Sequence, residues 1–171
     1  MKRRPWQPWV RVQRVTAFGA PIFVHWSALA VLAAMALIGL TNPVFALLFA
    51  ASYLAVTVVH ELGHAFVAHR LGYEIDSIGI TAWHGWCKLQ APAYEWHEVL
   101  IAWAGVAAQL AMAVPALALM FVLGDRDWGY FTPVIVILGY FNVVIAAVNL
   151  IPGDRSDGTT AWRIIPLLRA R

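Results

Sequence analysis

The chain is poor in charge and nearly devoid of cysteine, and each scarcity excludes a class of protein. Only 12% of its 171 residues are Asp, Glu, Lys or Arg, against about 25% in an ordinary soluble domain. Hydrophobic residues reach 61%, while a chain of this size buries only about 70% of its unfolded surface. That much apolar surface does not fit inside one water-facing globule, which argues against a soluble enzyme and against a disordered protein. The single cysteine, Cys87, rules out an intrachain disulfide and a disulfide scaffold. The net charge is only +3. The basic residues sit beside apolar runs and form no stripe with interleaved polar groups, so no nucleic-acid partner is expected. What remains is an integral membrane protein, with the lipid bilayer as its first partner.

Four apolar runs are long enough to cross a hydrocarbon core of about 30 Å, which takes about 20 helical residues. They are residues 22–40, 44–71, 99–123 and 134–151. Breakers separate them: Thr41-Asn42-Pro43, Gly72, Gly124-Asp125-Arg126-Asp127 and Pro152-Gly153. The expected fold is therefore a membrane all-α protein of about four transmembrane helices with a small β element, a single domain over residues 1–171. The first run resembles a signal-peptide core in its basic flank, but it is long for one and Gly19, Ala20 and Pro21 break its start, so a retained helix is expected.

Charge orients the bundle. Lys2, Arg3, Arg4, Arg11 and Arg14 precede the first run, Arg70 and Lys88 lie between the second and third, and Arg155, Arg163, Arg169 and Arg171 follow the fourth. With four spans these segments share one side, and only Arg126 falls on the other. The positive-inside rule then makes residues 1–20 a basic cytoplasmic N-terminus and puts both termini in the cytoplasm. A bacterial inner membrane is the expected location. Between the second and third runs, Ile75, Ser77 and Gly79 alternate with Asp76, Ile78 and Ile80. This predicts one or two short interfacial strands, with Trp83, Trp86 and Trp96 in the aromatic belt.

Chemistry concentrates at the ends of the second and fourth runs. In His60-Glu61-Leu62-Gly63-His64 the two histidines are four residues apart, so on a helix they share a face and can hold one Zn²⁺. Glu61 lies about 100° further round, within reach of a water beside the metal. A five-residue pattern with two free positions recurs by chance, but a carboxylate inside an apolar span is rare and usually functional. A catalytic zinc takes a third protein ligand. The second and fourth spans run in the same direction, so the stretch from Asn149 to Gly158 reaches the depth of the histidines. Asp157 is the favoured ligand and Asp154 its rival. Two neutral histidines with ionised Asp157 and Glu61 bring the charge around Zn²⁺ near zero, which a low dielectric favours. A turn or cap role for Asp157 before Gly158 is the plainer alternative.

These motifs resemble those of the site-2 protease family of intramembrane zinc metalloproteases. HExxH is matched by His60, Glu61 and His64, and NxxPxxxLDG by Asn149, Pro152, Asp157 and Gly158, with Ser156 where the family usually has leucine. Val24-His25-Trp26-Ser27, and Gly105 with Asn142, are similar as well, whereas the family's Gly-Gly pair has only Gly85 as a counterpart. The resemblance implies a zinc endopeptidase that cleaves transmembrane segments of other proteins. It implies Glu61 as general base, His60, His64 and Asp157 as ligands, and Asn149 as a donor to substrate or oxyanion. It also implies a substrate unwound and bound by strand addition along 73–88.

Three rivals stand beside this reading. Another class of membrane metalloprotease would take a glutamate from a later span, and residues 99–123 and 134–151 contain none. A metal-binding transporter or scaffold has no use for Glu61 beside the ligands. A catalytically inactive relative acting as a partner is disfavoured by the full set of catalytic groups. A homo-oligomer or a regulatory membrane partner stays open. His25 is expected to make a polar contact inside the bundle, Gln109 to bond across helices, Pro115 to kink the third span, and His69, His84 and His97 to sit at the interface or in the loop.

Overall fold

The computed structural model describes residues 9–124, 128–154 and 156–169. Lys2, Arg3, Arg4, Arg126, Arg155 and Arg171, on which part of the orientation argument rests, lie outside the described residues, as do Asp125 and Asp127. The elements run β1 (Trp9–Ala17), β2 (Ala20–His25), α1 (Trp26–Ile38), α2 (Pro43–Arg70), β3 (Ile75–Ile80), β4 (Gly85–Leu89) and α3 (Glu95–Leu123). After them come α4 (Thr132–Val136), a π turn over Ile137–Phe141, α5 (Asn142–Asn149), α6 (Asp157–Ala161) and α7 (Ile164–Arg169).

The fold is mostly helical around one small sheet. Three helical stretches, Pro43–Arg70, Glu95–Leu123 and Gly129–Asn149, are long and apolar enough to cross a membrane. The first expected span is different. Its first residues belong to β2, and only the shorter apolar helix α1 comes after them. The cause is the turn before it: Phe18 and Gly19 both have positive φ, 52° and 82°. This suits a two-residue hairpin that folds β2 back on β1. Ile22, Phe23 and Val24 then pair with Ile78, Gly79 and Ile80 of β3. The chain leaves the strand at His25, whose ring nitrogen accepts the Ser27 N–H and caps α1. His25 is thus a helix cap, where the sequence suggested a polar contact inside the bundle.

The sheet has four strands in the order β1-β2-β3-β4, parallel between β2 and β3 and antiparallel elsewhere. The sequence predicted only the last two. One sheet face packs on α2, where Ile78 and Ile80 meet Ala65 with Leu54, Val58 and Leu62 around them. The β3–β4 turn is fastened to both neighbouring helices: the Ala82 N–H donates to Ser27 Oγ of α1, and the Tyr53 hydroxyl of α2 donates to the Ala82 carbonyl.

Helix α2 starts where the sequence signals it, with Asn42 accepting the Phe45 N–H and Pro43 in the first turn. It runs without interruption to Arg70, so His60 and His64 lie inside a long helix, several residues before its end. Helix α3 continues through Pro115 and begins earlier than expected, at Glu95. The fourth apolar stretch is a composite in which a π turn separates α4 from α5. The extra residue in such a turn rotates the helix beyond it, and here it brings Asn142 and Asn149 toward α3.

Candidate metal centre

The site is assembled from five elements, α2, α3, β4, α5 and α6. Helix α2 supplies His60 and His64, 7% and 6% exposed. Their Nε2 atoms are 3.0 Å apart. Asp157, the first residue of α6, sets its Oδ2 at 2.9 Å from Nε2 of His60 and 3.1 Å from Nε2 of His64. The far nitrogens are fixed by acceptors: the Nδ1–H of His64 donates to the Ile101 carbonyl at 2.7 Å, and that of His60 to Gln109 Oε1 at 3.1 Å. With both protons on Nδ1, each Nε2 carries a bare lone pair. Two such lone pairs and a carboxylate oxygen therefore face one another across about 3 Å.

That arrangement fits a metal ion. Tetrahedral ligands at Zn–N distances of about 2.0–2.1 Å lie roughly 3.3 Å from each other. Among the described residues, His60, His64 and Asp157 are the group of acidic, histidine or cysteine side chains positioned to share one ion. Asp154 lines the same cleft but is outside this group. Burial alone would raise the Asp157 carboxyl. With the imidazoles protonated at Nε2 as well, their N–H groups and charge outweigh that and hold it well below the usual carboxylate range.

Neighbouring backbone is cut back to make room. A Cβ on Gly105 of α3 would come within 2.5 Å of His64 Nε2 and 2.6 Å of His60 Cε1. A Cβ on Gly85 would run into the Glu61 side chain, whose carboxylate accepts a hydrogen bond from the Gly85 backbone. Glu61 is 3% exposed and lines the cleft with both histidines. The cleft has a volume of about 920 Å³ and runs from Trp83 and Gly85 past the histidines to Asn149 and Asp157.

The loop that delivers Asp157 is tied at several points. Ser156 caps α6 by accepting the Thr159 N–H and donates from Oγ to the Ile151 carbonyl at 2.9 Å. The Trp162 indole donates to the Leu150 carbonyl at 2.7 Å and packs edge-on against Trp103. Polar Ser156, at the position where leucine was expected, is thus part of the turn. Glu98 also lines the cleft, but it receives the Arg163 guanidinium at 3.1 Å and is not in the ligand group.

Of the remaining sequence candidates, Asn149 reaches the site, with Nδ2 donating to Gln109 Oε1 at 3.1 Å. Gln109 bonds across helices as expected, but its partner is His60 itself, which the sequence reading missed. The available signal was spacing, because Gly105 and Gln109 are four apart on α3 and so share a face. His97 Nδ1 pairs with the Tyr73 hydroxyl at 2.7 Å and His69 packs on Phe18, and neither lines the cleft.

No protein-family model matches the chain. Curated proteins do. Rip3 of Mycobacterium tuberculosis, a candidate zinc metalloprotease by name, is 33% identical over 164 residues, covering 82% of this chain and 39% of Rip3. The zinc metalloprotease MJ0392 of Methanocaldococcus jannaschii is 31% identical over 154 residues, covering 86% of this chain and 43% of MJ0392. A solved structure, the site-2 protease from Methanocaldococcus jannaschii, matches with a TM-score of 0.70 at 25% identity, covering 92% of this chain and 71% of that one. The chain belongs to the site-2 protease family. Within the family it spans about two fifths of the length of these curated relatives. Its mostly helical fold, small sheet and three apolar helices fit an integral membrane member of the site-2 proteases.

Proposed function

We propose that this chain is the catalytic core of an intramembrane zinc endopeptidase, hydrolysing a peptide bond in or near a transmembrane segment of another membrane protein. The observation that carries the reading is the convergence of His60 Nε2, His64 Nε2 and Asp157 Oδ2 within 3.1 Å, on an apolar helix beside buried Glu61. These three side chains would hold Zn²⁺, which when bound supplies Lewis acidity and an acidified water. Glu61 takes the proton from the attacking water and returns it to the leaving amine. The Gly85 N–H steadies one side of the Glu61 carboxylate during that transfer. Asn149 has two amide N–H bonds; one is engaged by Gln109, and since a protonated His60 Nδ1, 3.3 Å away, cannot accept the other, that one is available to the scissile carbonyl or its oxyanion.

A helical substrate hides its backbone groups, so the scissile segment unwinds before it is cut. Gly85, Trp86, Cys87 and Leu89 of β4 line the cleft, and β4 pairs through β3 on its other edge. The unwound segment adds to the cleft-facing edge of β4 as an extra strand. The enzyme works in a bacterial cell membrane with both termini cytoplasmic, which requires β2 and the shorter helix α1 together to make a fourth crossing; the distribution of basic residues in the sequence supports this reading.

Zinc content and cleavage, measured on the same detergent-purified preparations, test this. The wild type should carry about one zinc per chain and cut a single-span substrate protein, Glu61→Gln should keep zinc and lose cleavage, and Asp157→Ala should lose zinc. A folded wild type that binds no zinc after supplementation defeats the reading and favours an inactive, partner-like relative. A wild type that binds zinc but cuts none of a panel of single-span proteins leaves a metal-binding scaffold.

A further inference from the structure

Gln109 is the one strongly polar side chain in the apolar stretch 99–123, and it is 1% exposed. Its Oε1 lies 3.1 Å from His60 Nδ1 and 3.1 Å from Asn149 Nδ2, and Asn149 Nδ2 stands 3.3 Å from the same His60 Nδ1, so the nearer Oε1 takes the Nδ1–H. Its amide nitrogen is buried and has no hydrogen-bond partner among the described residues. Leaving a buried donor unpaired is unfavourable, so something must hold the amide in this orientation. Asn149 does so, because a reversed Gln109 would turn its own N–H groups toward the Asn149 N–H. The backbone is held as well: Asn142, fully buried, donates from Nδ2 to the Gln109 carbonyl at 2.8 Å and to the Leu138 carbonyl at 3.2 Å. Asn142 and Asn149 both come after the π turn and are two helical turns apart on one face.

The orientation of this amide decides which tautomer His60 adopts. With Oε1 facing the ring, Nδ1 must carry the proton and Nε2 presents a lone pair toward Asp157 and His64. With the amide nitrogen facing the ring, Nδ1 would accept, Nε2 would carry the proton, and His60 could not ligate a metal. We propose that Gln109, oriented by Asn149, is the positioning residue that sets the ring plane and tautomer of His60 for metal binding. The inference rests on the zinc reading given above and adds the origin of the ligand's readiness. His64 needs no such device, since its Nδ1–H meets a backbone carbonyl that cannot flip.

Zn²⁺ affinity, measured by competition with a chromophoric chelator on the full chain in detergent, separates positioning from packing. Gln109→Glu keeps an acceptor toward Nδ1–H, while Gln109→Met keeps the length and loses the acceptor. Positioning predicts wild-type or tighter binding for Gln109→Glu and a loss of about 10–100-fold for Gln109→Met. Packing predicts the reverse order, since a buried carboxylate is the worse fill. The visible bands of the cobalt-loaded protein should shift in Gln109→Met and hold in Gln109→Glu. If Gln109→Met does not fold, Asn149→Leu, which frees the amide to turn, should itself weaken Zn²⁺ by about tenfold. Gln109→Met or Asn149→Leu binding Zn²⁺ like a wild type that does bind it overturns this inference alone. A wild type without affinity for Zn²⁺ overturns it together with the metalloprotease reading.

Discussion

Substituting Gly105 by alanine should separate the metal centre from the fold that carries it. The added Cβ would stand 2.5 Å from His64 Nε2 and 2.6 Å from both His60 Cε1 and His64 Cε1. Ordinary contact between such atoms begins near 3.5 Å, so the two rings must retreat by roughly 1 Å or α3 must move away from α2. The rings have little freedom to do so, because Ile101 and Gln109 hold their far sides at 2.7 and 3.1 Å. Metal–ligand distances tolerate about 0.2 Å. Zinc affinity should therefore fall by about 100-fold or more, equivalent to about 2.8 kcal/mol at 1.4 kcal/mol per factor of ten. The overpacking itself should lower stability by about 1–3 kcal/mol. Gly63→Ala is the control, since its Cβ would meet the Ala104 carbonyl oxygen at 2.5 Å and Ala108 Cβ at 2.8 Å, helix packing away from the imidazoles. It should lower the thermal midpoint while weakening zinc less than Gly105→Ala does. Chelator competition and thermal unfolding on both variants are the assays. Gly105→Ala with zinc affinity within about threefold of wild type would refute the argument that this glycine clears space for the ligands.

The same geometry makes further expectations testable. Asp154→Ala should bind zinc like wild type, because only Asp157 joins the ligand group; loss of zinc in that variant would move the ligand assignment. The Cys87 thiol is pushed up to about 12 by burial and by the nearby Glu61 carboxylate. Since the thiolate is the reactive form, native Cys87 should alkylate on the order of a thousandfold more slowly at pH 8 than an ordinary free thiol with pKa about 8.5, and faster in Glu61→Gln. Timed maleimide labelling with mass detection checks both statements. Trp162→Phe removes the indole bond to the Leu150 carbonyl, and should lower stability by about 1 kcal/mol and loosen the Asp157 turn. An unchanged melting point and zinc affinity in that variant would show that the turn holds itself.

Much of the site was legible because its chemistry is carried by types and spacings that few other roles demand. Two histidines four apart with an acid between them, on a span whose other charge is Arg70 at its end, say what they could bind before any coordinates are seen. Asp157 was harder, since Asp154 offers the same carboxylate three residues away. What separates them is the turn built by Ser156, Thr159 and Trp162, a set of local bonds that composition does not announce. The N-terminal strands were not legible for a different reason. Ile22, Phe23 and Val24 satisfy a hydropathy reading as helix and as strand equally well. The choice is made by partners far along the chain, with Phe23 opposite Gly79 and Val24 opposite Ile80. The π turn is invisible in a sequence for the same reason: it is a rotation imposed by what α5 packs against.

The parallel pairing of β2 with β3 has a consequence for how the protein is made. Ile22 and Ile78 are neighbours in the sheet, yet α1 and α2 lie between them in the chain. The β1–β2 hairpin is complete as soon as it leaves the ribosome, but its inner edge has no partner until both helices have been threaded and β3 has emerged. At about 5–20 residues per second that interval lasts several seconds. During it a nascent chain carries a bare strand edge at the membrane surface, open to any other strand it meets. Biogenesis therefore has an ordered step, in which one docking event closes the sheet against α2 and, through β4, brings Gly85 onto Glu61.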